Sequence, residues 1–151
     1  MAEIRVRGER SITASPEQVY TYIADYIHHH PRFLPSNFSE FRVEEGGIGA
    51  GTVISFRMKA GGRDRTSRAH IAEPEPGRVL TEHIEGTSLV TTFTVSPESG
   101  GSHVVIDTRW QSAKGIGGFM ERAFAPRVLR RIYADELSRL DAYARQQGSA
   151  Q

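Results

Sequence analysis

The stretch GGFMERAFAPRVLRRIYADELSRLDAYARQQ, residues 117–147, decides how this chain is read. At about 100° per residue, Leu129, Ile132, Tyr133, Leu137, Leu140 and Ala144 fall on one stripe, as a long amphipathic helix requires. Arg127, Arg130, Arg131, Ser138 and Asp141 lie elsewhere on the wheel. Pro126 removes a backbone donor inside the segment and is expected to kink it or mark a restart. The piece before it, Phe119-Met120-Glu121-Arg122-Ala123-Phe124, is apolar enough to form a wall or lid of a cavity mouth. One residue breaks the stripe: Glu136 falls inside it, between Leu129 and Ile132 on the wheel, and Arg122 extends the same stripe. A carboxylate there must be paired, neutral or facing a wet cavity.

Upstream, the period changes from 3.6 to 2. Ile4, Val6 and Ile12 share one face of a first strand. Ser15-Pro16-Glu17-Gln18 then opens a helix, with Ser15 as N-cap, Pro16 at the first helical position and Gln18 closing a capping box. Val19, Tyr22, Ile23 and Tyr26 continue it, and Pro31 and Pro35 confine a second short helix to residues 27–34. Strand patterns follow around Phe41 and Val43, over 52–59, 63–72, 78–85, 89–95 and 103–111, separated by Gly- and Pro-rich turns. The cleanest strand carries Ile54, Phe56 and Met58 on one face. The facing of 63–72 is left open, because it lacks large apolar groups. The chain therefore predicts an α+β domain over residues 1–147, with a frayed tail at 148–151. Seven antiparallel strands form a meander, two short helices follow strand one, and a long helix closes the chain. Such a sheet, wrapped round one helix, easily leaves an apolar cavity between the two.

The bulk numbers exclude several function classes. The 151 residues suit one domain, which buries about two thirds of its unfolded surface. A net charge of +1, with cations and acids interspersed, argues against a nucleic-acid surface. With no cysteine, disulfides, thiolate catalysis and Cys-ligated metals are excluded. No apolar run approaches the ~20 residues of a membrane span, and no signal-peptide core opens the chain, so a cytoplasmic location is expected. No phosphate loop, dinucleotide fingerprint or nucleophile elbow is present, and no cofactor is expected.

Several pieces carry a family resemblance. They are Ile12 to Tyr20, Ile23-Ala24-Asp25, Pro31-Arg32-Phe33-Leu34-Pro35, Gly49-Ala50-Gly51-Thr52 and Pro74 to Leu80, completed by the terminal helix. In this order they resemble the SRPBCC superfamily of START domains, birch-pollen-allergen proteins and polyketide cyclases. The likeness is nearest to the bacterial polyketide cyclase/dehydrase-like group. The resemblance implies a helix-grip fold with an elongated internal cavity; the expected ligand is a hydrophobic small molecule of polyketide, lipid or isoprenoid class, and the expected state a monomer or homodimer. It leaves the reaction open, since function sits in the site and not in the fold.

Two readings of the site follow. A carrier or sensor needs only a shaped apolar pocket, for which Phe33, Ile54, Phe56, Met58, Phe93, Trp110, Met120 and Phe124 are the candidates. A cyclase or dehydratase adds one acid or base, with Glu136 first and His70 or His83 next, since histidine titrates near neutrality. His28-His29-His30 is read as a solvated turn and not as a metal site, because adjacent side chains diverge.

Overall fold

The computed structural model describes residues 2–149, with the side chains of Ile116, Phe119, Met120, Arg122, Ala123, Phe124 and Ser149 outside that description. Strand β1 (Glu3–Ile12) leads into helix α1 (Pro16–Ala24) and a 3-10 turn (His30–Phe33). Strands β2 (Phe38–Glu45), β3 (Val53–Ala60), β4 (Arg63–Glu75), β5 (Val79–Ile84), β6 (Val90–Glu98) and β7 (Gly101–Gln111) precede helix α2 (Gly115–Ser149). The strands form one antiparallel sheet in the order β1-β7-β6-β5-β4-β3-β2, so β1 closes beside β7 and the rest is a meander.

The local signals act as expected at α1. Ser15 Oγ accepts from Gln18 N, and the Gln18 side chain accepts from Ser15 N, which completes the capping box. The second helix does not form. Pro31 and Pro35 leave room for only the four-residue 3-10 turn, and the chain instead ties back through His30 N to Asp25 O. Helix α2 runs unbroken through Pro126 and takes in Gly148 and Ser149, where the sequence predicts fraying. Strand β4 continues past 72 through Pro74, where a bulge between Ala72 and Glu75 absorbs the missing donor.

The sheet's concave face and α2 share one core. Ile132, Tyr133, Leu137, Leu140, Tyr143 and Ala144 are buried against Val6, Leu80, Phe93, Val104 and Ile106. Asp141, expected on the polar side, is also buried. Burial opposes its charge, but the Thr13 N–H and the cations of Arg145 and Arg10 outweigh that and hold its carboxyl below the usual range.

One glycine sets the depth at which α2 lies. A Cβ on Gly8 in β1 would stand 3.0 Å from Tyr133 Cβ, so the helix rests directly on strand backbone there. Gly8→Val is therefore expected to cost about 1–3 kcal/mol by overpacking. Urea unfolding of the variant checks this, and a loss below about 0.5 kcal/mol would show that α2 slides freely over β1.

Candidate functional site

A cavity of about 690 Å³ lies between the concave face and α2, within the usual range of small-molecule sites. Most of its wall is apolar. Ile54, Phe56 and Met58 project into it from β3 and Phe93 from β6. Trp110 borders it from β7 and Leu129 from α2. Phe38, Phe41, Ile84, Ile106 and Val128 join them, none of which was among the expected cavity residues. Phe33 does not line it. That ring is fully buried in the 3-10 turn, against His30 and Tyr143, where it packs the core behind the cavity. The expected positions Met120 and Phe124, like Arg122, lie outside the described side chains.

The two strand histidines leave the cavity for a reason of parity. His70 and His83 are directly paired across β4 and β5, and both are exposed on the outer face. His70 Nε2 meets Glu85 Oε1 at 3.3 Å, and His83 Nε2 lies 2.8 Å from Thr87 O. Neither can reach a ligand between sheet and helix. The same parity turns their neighbour Glu82 inward, between Leu80 and Ile84. Glu82 is the acid that sequence reading missed, and the Leu80-Glu82-Ile84 alternation was its signal.

Glu136 does face the cavity, and it gathers a polar group with it. It is 4% exposed and sits opposite His30, which is 2% exposed, with His30 Nε2 and Glu136 Oε2 3.8 Å apart. That is beyond hydrogen-bond range. His30 Nδ1 lies 2.6 Å from Ile23 O, a carbonyl that can only accept, so the ring's proton is on Nδ1 and Nε2 is left as an acceptor. Burial holds the imidazole down at about 4, against the lesser opposing pull of the Ile23 carbonyl, so the ring is neutral near pH 7. Burial pushes the Glu136 carboxyl well above its ordinary range, and the nearby Glu82 and Asp135 charges push the same way. Both shifts disfavour the charged forms, and at 3.8 Å the two are an acid facing a base and not a close ion pair. The triple-histidine run is a solvated turn only in part, since His28 is exposed while His30 is buried. His28 pairs with Asp25, His29 Nδ1 meets Tyr143 Oη at 2.6 Å, and His30 is core.

Glu82 completes the cluster. Tyr26 Oη donates to Glu82 Oε2 at 2.5 Å. Burial raises the Glu82 carboxyl to about 7, the tyrosine's hydrogen bond holding it lower than burial alone would. Its remaining exposure opens onto the cavity, so an apolar occupant, by excluding water, favours its protonated form further. Across from it, Tyr133 Oη, Thr108 Oγ1 and Thr91 Oγ1 form a buried hydroxyl chain. The cavity's deep end thus offers a carboxylic acid, a second carboxyl poised near neutrality and several hydroxyls, all within an apolar shell. Such a set can donate to a ligand carbonyl or move a proton on it. Among the described residues no group of His, Asp or Glu has metal-binding geometry.

A sheet gripping a long helix over an apolar cavity with a polar floor defines a helix-grip ligand-cavity protein. The chain belongs to the family described as polyketide cyclase / dehydrase and lipid transport, which it matches over residues 3–145. It is similar to KanY protein (ms6282), at 34% identity over 96% of this chain and 99% of that one, with a TM-score of 0.84. It shares its fold with TTHA0849 from Thermus thermophilus, at 21% identity over 95% of this chain and 99% of that one, TM-score 0.76. The ginseng major latex-like protein 151 of Panax ginseng also has this fold, at 12% identity, 95% and 99% coverage and TM-score 0.76. No curated protein matches the chain. The family's description supports hydrophobic ligand binding in general. No helix among the described residues is long and apolar enough to cross a membrane.

Proposed function

We infer that the protein binds a hydrophobic small molecule of polyketide, lipid or isoprenoid class between sheet and α2, as a carrier or sensor. The observation that carries this is the cavity of about 690 Å³ with aromatic and aliphatic walls and polar groups confined to one end. Burying an apolar body there gains roughly 25 cal/mol per Å² of covered apolar surface, and the floor orients whichever end carries oxygen. Ile84→Trp, which adds bulk to the cavity wall, is expected to weaken binding of the neutral fluorophore N-phenyl-1-naphthylamine at least tenfold. Undiminished fluorescence titration in that variant would count against the cavity as the binding site.

A second reading rests on the deep-end acids. Glu136 and Glu82, buried together with no cation between them among the described residues, suit a cyclase or dehydratase that folds a reactive chain and moves one proton. Native mass spectrometry of protein purified from its own host separates the two. A bound molecule identical to its free precursor supports a carrier, and a cyclised or dehydrated product supports an enzyme.

A further inference from the structure

The cavity wall includes a gap in the sheet, which we take as its opening. Strand β4 begins at Arg63, but β5 pairs with it only from Ala69, opposite Ile84, onward. Residues 63–67 are therefore bonded to β3 alone, and their other edge faces the β5–β6 turn. Arg63, Arg65 and Ser67 line the cavity from one side of this gap, and Thr87, Ser88 and Leu89 from the other.

Alternation puts both arginines on the inward face, continuous with buried Ala69 and Ile71. Across β3 they oppose Ala60 and Met58, which are apolar. Neither has an ion-pair or hydrogen-bond partner among the described residues, whereas two outward cations of the same arm do. Arg57 is held by Asp64, and Arg68 by Glu44 and Glu85. The other acids that line the cavity do not serve them. Glu121 takes hydrogen bonds from Trp110 Nε1 at 3.1 Å and Ala113 N at 3.0 Å, and Glu82 and Glu136 belong to the deep end. The cavity thus has a hydrogen-bonding floor without cations among the described residues, and two guanidinium groups without partners at its opening.

We propose that the occupant is an anionic amphiphile, its apolar body in the cavity and a carboxylate or phosphate held at the opening by Arg63 and Arg65. This deepens the ligand-binding reading above and rests on it. Guanidinium groups match both anions in geometry, and charge-assisted hydrogen bonds are about twice as strong as neutral ones. Inward charges also guard a free strand edge against pairing with another chain. That role alone predicts no preference between an acid and its ester.

The test displaces bound N-phenyl-1-naphthylamine at pH 7.5 with decanoate, decyl phosphate and methyl decanoate. The two anions are expected to compete at about tenfold lower concentration than the ester, a difference of ~1.4 kcal/mol. In the Arg63→Gln/Arg65→Gln double variant that preference should fall below about twofold, with the ester unchanged, which also reports an intact fold. Equal competition by acid and ester in the wild type would overturn the proposal while leaving the cavity reading standing. A preference that survives in the double variant would overturn it too, by putting the anion elsewhere. A wild type that binds neither the fluorophore nor any of the three removes the cavity reading itself.

Discussion

Replacing Glu136 with glutamine is expected to stabilise the protein at pH 8–9 and to flatten the dependence of its stability on pH above neutrality. The Glu136 carboxyl is raised well above 4.5 by burial first, then by the charges of Glu82 and Asp135. A group with a raised folded pKa binds more protons folded than unfolded. Stability therefore falls as pH climbs from the unfolded value toward the folded one, by about 1.4 kcal/mol per pH unit per group. Glu82 contributes in the same direction, but its part ends near its folded value of about 7. His30 works in the opposite sense. Its folded value of about 4 lies below the ordinary 6.5, so the stability it contributes is complete above 6.5 and lost as pH falls toward 4. Between about 4.5 and 6.5 the slopes of His30 and the carboxyls oppose each other. Around neutrality Glu82 completes its titration, so only the part of the loss that Glu136→Gln removes belongs to Glu136. Glutamine keeps the shape and a hydrogen-bond donor without the titrating proton. Urea unfolding at pH 6, 7, 8 and 9 should give a series that falls more steeply for the wild type than for Glu136→Gln, whose remaining slope around pH 7 belongs to Glu82. Two parallel series would mean that the carboxylate is charged and satisfied in the fold, and the deep end would lose its neutral acid.

The fold was legible because its signals are local and repeated. The stripe through Leu129, Ile132, Tyr133, Leu137, Leu140 and Ala144 gives α2, and all but half-buried Leu129 are buried. Gly-rich turns between alternating segments give a meander, and the observed order bears that out. The second helix failed because proline restrictions say where a helix must stop and not that one exists. The cavity lining was legible where the same periodicities reached it. Glu136 stands out as a charge in an apolar stripe, and Ile54, Phe56, Met58, Phe93 and Trp110 line the cavity. His70 and His83 stand out for their titration chemistry, although Leu80 and Ile84 on β5 already fix the inward register and exclude His83 from it. His30 had no local signal at all. Its burial depends on Phe93, some sixty residues on, and on α2, which no window around positions 28–30 contains.

That long-range dependence makes His30→Ala the substitution expected to destabilise the protein most among those argued here. The ring stacks on Tyr26 at 4.5 Å, packs on Phe33 at 4.7 Å and meets Phe93 edge-on at 5.7 Å. Alanine leaves a hole among three aromatic rings and orphans the Ile23 carbonyl. Truncating a buried aromatic ring costs about 3–5 kcal/mol, part of which is the cavity left behind, and an orphaned buried acceptor about 1–3 kcal/mol. A loss of roughly 3 kcal/mol or more is therefore expected, a large share of a domain's total. His30→Phe separates the causes. It restores ring and volume, so its loss should shrink to about 1–3 kcal/mol, the share of the lost hydrogen bond. Both variants should also lose the acid-side limb that His30 supplies between 6.5 and about 4, since no imidazole remains to resist protonation. Urea unfolding at pH 5 and pH 7 reads both effects together. If alanine costs under about 1 kcal/mol, the rings close over the gap and His30 is not a packing residue. If phenylalanine matches the wild type in stability yet weakens ligand binding, then the free Nε2 facing Glu136, and not the Nδ1 bond to Ile23, is what the imidazole is there to provide.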